Sequence, residues 1–209
     1  MSTAAILAGG QARRFGGHVK PLLPLGRQRI IDRLLRVLGS VADNVVVVLG
    51  TSEPEPFSSG NARVVSDRIP HAGPLGGLHT ALSVSTSPCT LVVAGDMPFL
   101  SGPFLAHLLA LGTGDAAVDA VVPRTGDGWQ PLCGCYRRSC LGRIEERIQR
   151  GALKTSALLD DLRTRVLTEV ELATYDEDGA LLFNINTPAD YSRALAIDAY
   201  RTDSLDSPW

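Results

Sequence analysis

Short apolar runs alternate along nearly the whole chain with segments whose apolar residues recur every three or four positions. That alternation predicts an α/β fold, a mainly parallel sheet with helices between successive strands. Residues 3–8 read as the first strand. Residues 30–38 read as a helix, with Ile31, Leu34, Leu35 and Leu38 at helical spacing and arginines on the other side. The run at 45–49 is apolar and rich in valine, as in a strand buried on both faces. A short strand at 62–66, a helix at 75–85 and a second buried strand at 90–94 follow.

Further on, the pattern predicts a helix at 103–111, strands at 117–122 and 131–136, a basic helix at 139–150 and a strand at 163–170. Thr187, Pro188 and Asp190 read as a helix start: a capping hydroxyl, proline in the first turn and an acid three residues after the cap. Residues 202–209 are polar and contain a proline, so the chain reads as one domain over 1–201 with a disordered tail. No internal repeat or convincing linker divides it.

Composition adds exclusions. With 209 residues, 44% of them hydrophobic, the chain is long enough to bury a substantial core. A net charge of -2 argues against a general nucleic-acid or membrane surface. No apolar run reaches the roughly 20 residues needed to span a bilayer. Residues 3–8 lack a basic flank and are too short for a secretory segment, so the chain reads as cytoplasmic. Cys89, Cys133, Cys135 and Cys140 lack paired zinc-site spacing and read as buried thiols, with Cys133 and Cys135 on one face of a strand.

The segment after the first strand, Leu7-Ala8-Gly9-Gly10-Gln11-Ala12-Arg13-Arg14-Phe15-Gly16-Gly17-His18-Val19-Lys20, carries the chemistry. Its glycines let a ligand lie against the main chain, and successive exposed N–H groups can form an anion nest. Arg13, Arg14 and Lys20 add cations with no acid among them. A triphosphate, with about four negative charges, is the anion such groups meet. The segment is neither a P-loop nor a dinucleotide fingerprint. It lies at the carboxyl end of a strand, where open α/β sheets bind ligands. A solvated basic turn is the bland alternative.

Acids stand at neighbouring strand ends. Asp96, in Ala94-Gly95-Asp96-Met97-Pro98, follows a buried strand directly and suits a Mg²⁺ ligand beside phosphates. A turn or capping aspartate is the local alternative. Asp67 closes another strand ahead of Gly73-Pro74-Leu75-Gly76-Gly77, a stretch that reads as a tight loop able to admit a base or ribose. Asn184 and Asn186 precede the Thr187 cap and are read either as turn residues or as contacts to a metal-bound phosphate or second substrate.

Taken together, these segments resemble the molybdenum cofactor guanylyltransferase (MobA) family. The resemblance rests on Leu7-Ala8-Gly9-Gly10, Arg14-Phe15-Gly16-Gly17, Lys20, Asp67, Gly73-Pro74-Leu75, Asp96-Met97-Pro98 and Asn184-Ile185-Asn186-Thr187-Pro188, in order from residue 3 to about 195. It implies a three-layer, Rossmann-like nucleotidyltransferase fold, GTP and Mg²⁺ as ligands, and a molybdopterin-type acceptor of GMP. By the same resemblance, Leu7, Ala8, Gly9, Gly10 and Gly73 border the nucleotide. Arg14 and Lys20 bind the triphosphate, Asp67 lies near the nucleotide and Asp96 holds the metal. Gln130, Asn184 and Asn186 face the acceptor.

Two departures stand out. Phe15 replaces the usual methionine, and the second strand ends Val48-Leu49-Gly50-Thr51 without the asparagine that touches the nucleotide in relatives. The alternatives are a sibling using CTP or a sugar or lactate phosphate, and a non-catalytic nucleotide-binding module. Gly9-Gly10 resembles the guanylyl branch. This reading is compatible with cofactor-delivery or target-enzyme protein partners.

Overall fold

The computed structural model describes residues 1–9, 20–50 and 60–205. The chain opens with strand β1 (Thr3–Leu7), followed by a small hairpin of β2 (Pro24–Leu25) and β3 (Gln28–Arg29), helix α1 (Ile30–Val41), β4 (Asn44–Leu49) and β5 (Arg63–Ser66). Helix α2 (Gly73–Val84), β6 (Cys89–Ala94), α3 (Gly102–Gly114), β7 (Ala120–Thr125), β8 (Gly128–Trp129) and β9 (Cys133–Arg137) come next. Helices α4 (Leu141–Gln149) and α5 (Thr155–Leu158), β10 (Thr164–Leu167), α6 (Glu169–Ala173) and α7 (Pro188–Leu205) complete it.

The main sheet has the order β10-β7-β9-β6-β1-β4-β5, with β8 attached to β7. β1 lies near its middle, parallel to β4 on one side and β6 on the other, and all five of its residues are buried. β9 alone runs against its neighbours in that row, antiparallel to β6 and β7. The sheet is therefore mainly parallel, as the sequence pattern predicts.

Strand alternation feeds two cores. Ala4, Ile6, Val47, Leu91 and Val93 join Ile31, Leu34 and Leu38 of α1 and Phe104, Leu105 and Leu108 of α3. Ala5, Leu7, Val46, Val48 and Val92 point the other way, into Leu75, Leu78 and Leu82 of α2 with Ile144 of α4. Successive side chains of a strand leave opposite faces, so a strand covered on both sides must be apolar throughout. The result is three layers, helices–sheet–helices.

Local signals explain where element boundaries differ from the periodicity. The strand expected at 163–170 stops at Leu167 because Thr168 begins α6. Its side chain accepts from Glu171 N, and the Glu171 carboxylate accepts from Thr168 N at 2.9 Å. The Gly73-Pro74-Leu75-Gly76-Gly77 stretch, expected as a loop, is already the first turns of α2. Short elements β2, β3, β8 and α5 carry too few residues for a readable period. The α7 start has the expected reciprocal cap: Asp190 N donates to Thr187 Oγ1 at 3.1 Å and Thr187 N to Asp190 Oδ2 at 2.7 Å. That helix continues to Leu205.

All four cysteines are buried, and Cys133 and Cys135 do share a core. Cys133 and Cys140 are free, and the sulfurs of Cys89 and Cys135 lie side by side between β6 and β9. The β6–β9 register sets Cys135 opposite Leu91, two residues along from Cys89 and on its face, with a Cα–Cα distance of 6.4 Å.

Candidate active site

The connections diverge at β1: one side of it leads through α1 to β4, and its other neighbour, β6, is reached only later through α2. Such a switch point opens a crevice beyond the carboxyl ends of the strands. Leu7 is level with Val48 and with Ala94, so three strands end together there. Backbone bonds carry the ladder one step further: Ala8 N to Val48 O at 2.8 Å, Gly95 N to Leu7 O at 2.9 Å and Asp67 N to Leu49 O at 2.8 Å. The residues that follow each strand are thus held by the sheet.

Close main-chain approach explains two glycines at this edge. A Cβ on Gly9 would lie 2.8 Å from Gly50 N, and one on Gly95 would lie 2.7 Å from Pro21 Cγ and 3.1 Å from Leu7 O. Neither neighbour is the free end of a flexible side chain, so a methyl group at either position must push backbone or a proline ring aside.

At this edge the structure brings Lys20, Asp96 and Asn186 together. Lys20 Nζ donates to Asp96 Oδ2 at 3.2 Å and to Asn186 Oδ1 at 3.1 Å. Lys20 heads a short 3-10 turn, Lys20–Leu22, in which Pro21 is buried. Asp96 stands two residues beyond β6 and is no helix cap, since Ser101 occupies that position for α3. Ile185 N donates to the Asp96 carbonyl at 3.0 Å, which ties the asparagine segment to the β6 end. The Lys20 and Asp96 side chains are both about one-fifth exposed, enough shelter to strengthen the pair while leaving it reachable.

The other expected residues are placed less uniformly. Asn184 Nδ2 donates to Leu182 O at 3.1 Å, a local turn bond. Gln130 is half-buried; its N–H donates to Pro123 O and its carbonyl accepts from Cys133 N, both at 3.0 Å. Ala94 N donates to Leu132 O at 2.7 Å, so the Gln130 segment borders the end of β6. Leu7 is buried, its side chain facing Gly77 of α2. Gly9 is exposed at the rim. Gly10, Arg13 and Arg14 lie outside the described residues.

Asp67 is committed to its own loop. Its Oδ1 accepts from Ile69 N at 3.0 Å and from Thr80 Oγ1 at 2.9 Å, while Thr80 Oγ1 accepts from Arg68 N at 2.9 Å. A Cβ on Gly76 would stand 2.9 Å from Asp67 Oδ2 and 2.8 Å from Ile69 O. Gly76 therefore lets α2 pack against the turn that Asp67 organises. Gly73, with φ +60, supplies the left-handed residue that starts α2. The family resemblance implies that Asp67 lies near the nucleotide; Thr80, a buried helix residue, carries no sequence motif that marks it as the partner of Asp67.

The cluster pairs one cation with one carboxylate and one amide oxygen. Among the described residues no group of three or more His, Cys, Asp or Glu side chains gathers. One carboxylate with a neighbouring amide oxygen is nevertheless a fitting donor set for Mg²⁺, which takes one or two carboxylates and completes its shell with phosphate and water. The same ammonium that neutralises Asp96 suits phosphate oxygens.

Residues 4–166 match the MobA-like NTP transferase domain. The chain belongs to that family. As a MobA-like NTP transferase it is a nucleotidyltransferase. It is 34% identical to a molybdenum cofactor guanylyltransferase of Desulfosudis oleivorans, over 93% of this chain and 94% of that protein. It is 35% identical to a probable molybdenum cofactor guanylyltransferase of Pelotomaculum thermopropionicum, over 92% and 91% of the two chains. Its fold is similar to that of molybdopterin-guanine dinucleotide biosynthesis protein A from Archaeoglobus fulgidus, with TM-score 0.79, 29% identity, and 95% and 99% of the two chains covered. The MobA-like fold extends to a nucleotidyl transferase of Methanothermobacter at 20% identity and TM-score 0.71. The Rossmann-like nucleotidyltransferase architecture expected from the sequence is the one observed.

Proposed function

We propose that the protein transfers GMP from GTP to the terminal phosphate of a molybdopterin-type cofactor, releasing pyrophosphate. The observation that carries this reading is the Lys20–Asp96–Asn186 cluster at the switch-point crevice of a MobA-like chain. The guanylyltransferase names of relatives that align over nine-tenths of the chain support the base and the acceptor.

In the proposed reaction an oxygen of the acceptor phosphate attacks the α-phosphorus of GTP in line. The new P–O bond forms as the bond between the α-phosphorus and the bridging oxygen breaks, and pyrophosphate leaves with that electron pair. A phosphate monoester is already anionic near neutral pH, so alignment and charge neutralisation matter more than a general base. Lys20 would exchange its contact with Asp96 for phosphate oxygens and offset charge on the leaving pyrophosphate. Arg14 would act with it. Asp96 would hold Mg²⁺, with Asn186 Oδ1 close by; when bound, the ion neutralises phosphate charge and orients the phosphates.

The backbone of Ala8, Gly9 and Gly10 would border the nucleotide, with Leu7 beneath and the Asp67 turn and Gly73 framing the far side. Gln130 and Asn184 would face the acceptor. Residues 1–201 would form the working unit. Among the described residues no helix is long and apolar enough to cross a membrane, and the reading places the enzyme in the cytoplasm, where a delivery or target protein would receive its product.

The test is pyrophosphate release with GTP, CTP and ATP, each with and without a molybdopterin acceptor. Release with GTP only, and only with acceptor present, is the expected result. Preference for CTP would move the chain to a cytidylyl branch, and no release with any pair would make it a binding module.

A further inference from the structure

Asn186 is exposed, and a single hydrogen bond between its amide and a lysine would not by itself hold it in place. The backbone beneath it is held by another residue. Asp190 Oδ2 accepts from Asn186 N at 2.9 Å and from Thr187 N at 2.7 Å, bridging two consecutive N–H groups just ahead of α7. Hydrogen bonds to an ionised acceptor are roughly twice as strong as neutral ones. Those bonds, helped by the nearby positive charge of Lys20, hold the Asp190 carboxyl below the usual aspartate range. On the other side of Asn186, Ile185 N is bonded to the Asp96 carbonyl. Helix α7 is anchored in turn: Tyr191 Oη donates to Pro24 O at the β2–β3 hairpin that follows Lys20, and Asp198 pairs with Arg33 of α1 at 2.7 Å.

We propose that Asp190 is a positioning residue for nucleotidyl transfer, fixing the Asn186–Thr187 backbone so that Asn186 Oδ1 meets the Lys20 ammonium beside Asp96. An acid three residues after a helix cap ordinarily does no more than stabilise the helix. Here the same oxygen also takes the N–H of the residue whose side chain contacts Lys20. The carboxylate thus sets the position of Asn186 as well as the start of α7. Misplacement of a reacting or neutralising group by about 1 Å can cost on the order of 10²-fold in rate.

The inference rests on the guanylyl-transfer reading for its kinetic arm, and wild-type pyrophosphate release measured alongside tests that reading separately. Thr187→Ala removes the other half of the cap but leaves Asp190 Oδ2 bonded to Asn186 N, so it is the structural control. Asp190→Ala is expected to lower kcat by about 10- to 100-fold with KM for GTP little changed, while Thr187→Ala, at a comparable loss of Tm, keeps kcat within about threefold. Asp190→Asn, whose amide oxygen can still accept both N–H bonds, should recover most of the activity. The Asn186→Ala, Asp190→Ala double variant should be no slower than Asn186→Ala alone, because the second residue acts through the first. Independently of turnover, amide hydrogen exchange at Asn186 should quicken in Asp190→Ala and not in Thr187→Ala. Equal kinetic losses in the two cap variants, additive losses in the double variant, or unchanged exchange at Asn186 in Asp190→Ala would each overturn the proposal.

Discussion

Lys20 Nζ sits 3.2 Å from Asp96 Oδ2, joining the residue that ends the glycine-rich segment to the acid two residues beyond the end of β6. Two features of the sequence with separate expected partners, triphosphate and metal, thus neutralise each other across the crevice. Partly exposed ion pairs contribute only about 0–1 kcal/mol, so stability gives little reason for this one.

Lys20→Ala should therefore cost turnover and little else. The expected loss is on the order of 10²–10³ in kcat/KM, the effect of removing one preorganised electrostatic group. Its Tm should move by less than about 4 °C for a chain of this size. Pyrophosphate release and a thermal melt on the same preparation check both halves. Near wild-type turnover would remove Lys20 from the chemistry.

Asp96→Asn keeps the shape and one acceptor but removes the charge a hard cation needs. Turnover across a Mg²⁺ titration should collapse at every concentration, or require far more magnesium. An unchanged magnesium curve would place the metal on other residues.

How much of this was legible in the sequence depends on what each signal encoded. The valine run of β4 and the apolar spacing of α1 specify burial directly, and both elements lie within a few residues of where the pattern put them. Asp96 could be picked out because it follows a buried strand, a relation local to the chain. The contact of Asn186 with Lys20 spans 166 residues, and nothing local records it. Asp67 stands out in the sequence as a strand-end acid, yet its bond to Thr80 depends on how α2 packs back over its turn. The Cys89–Cys135 contact likewise depends on β9 running antiparallel to β6, which apolar periodicity does not encode.

Gly95→Ala tests the close packing beneath the crevice. Its methyl group would fall 2.7 Å from Pro21 Cγ and 3.3 Å from Ala8 Cα, pressing on the segments that carry Lys20 and Gly9. Overpacking of this kind typically costs about 1–3 kcal/mol. Gly39→Ala, at a helix position where a Cβ meets nothing within 4 Å, is the control and should be neutral or slightly stabilising. A urea series should show the Gly95 variant less stable and also less active at temperatures where it remains folded. Equal midpoints for the two variants would mean that the crevice floor yields to a methyl group.

The buried thiols give a chemical check. Burial raises the Cys133 thiol well above its ordinary range, and burial foremost pushes Cys140 up to about 12. The thiolate is the reactive form, so neither should be alkylated in the folded protein at mildly alkaline pH, while both should react once denaturant is added. Labelling followed by mass spectrometry distinguishes the two states. Rapid native labelling of Cys140 would mean that the α4 side of the core opens readily.

Acid stability tests how β10 is fastened to β7. Arg163 grips Asp119 with its Nε and Nη2, at 2.9 and 2.8 Å, and Arg163 N adds a bond to Oδ2 at 3.0 Å. The Arg163 side-chain hydrogen bonds, foremost, hold the Asp119 carboxyl below its ordinary value of 3.8. A carboxyl depressed in the folded state contributes stability that is complete above its unfolded pKa and is lost as pH falls through the folded one. Asp119→Asn should therefore lower the urea midpoint near neutral pH. The gap to wild type should hold down to about pH 4 and narrow steadily below it, as the wild-type carboxylate takes up its proton. Arg163 is largely exposed, so added salt should narrow the gap as well. Urea midpoints measured from about pH 2 to 7 decide the matter: a gap independent of pH would assign the loss to packing, not to the charge on Asp119.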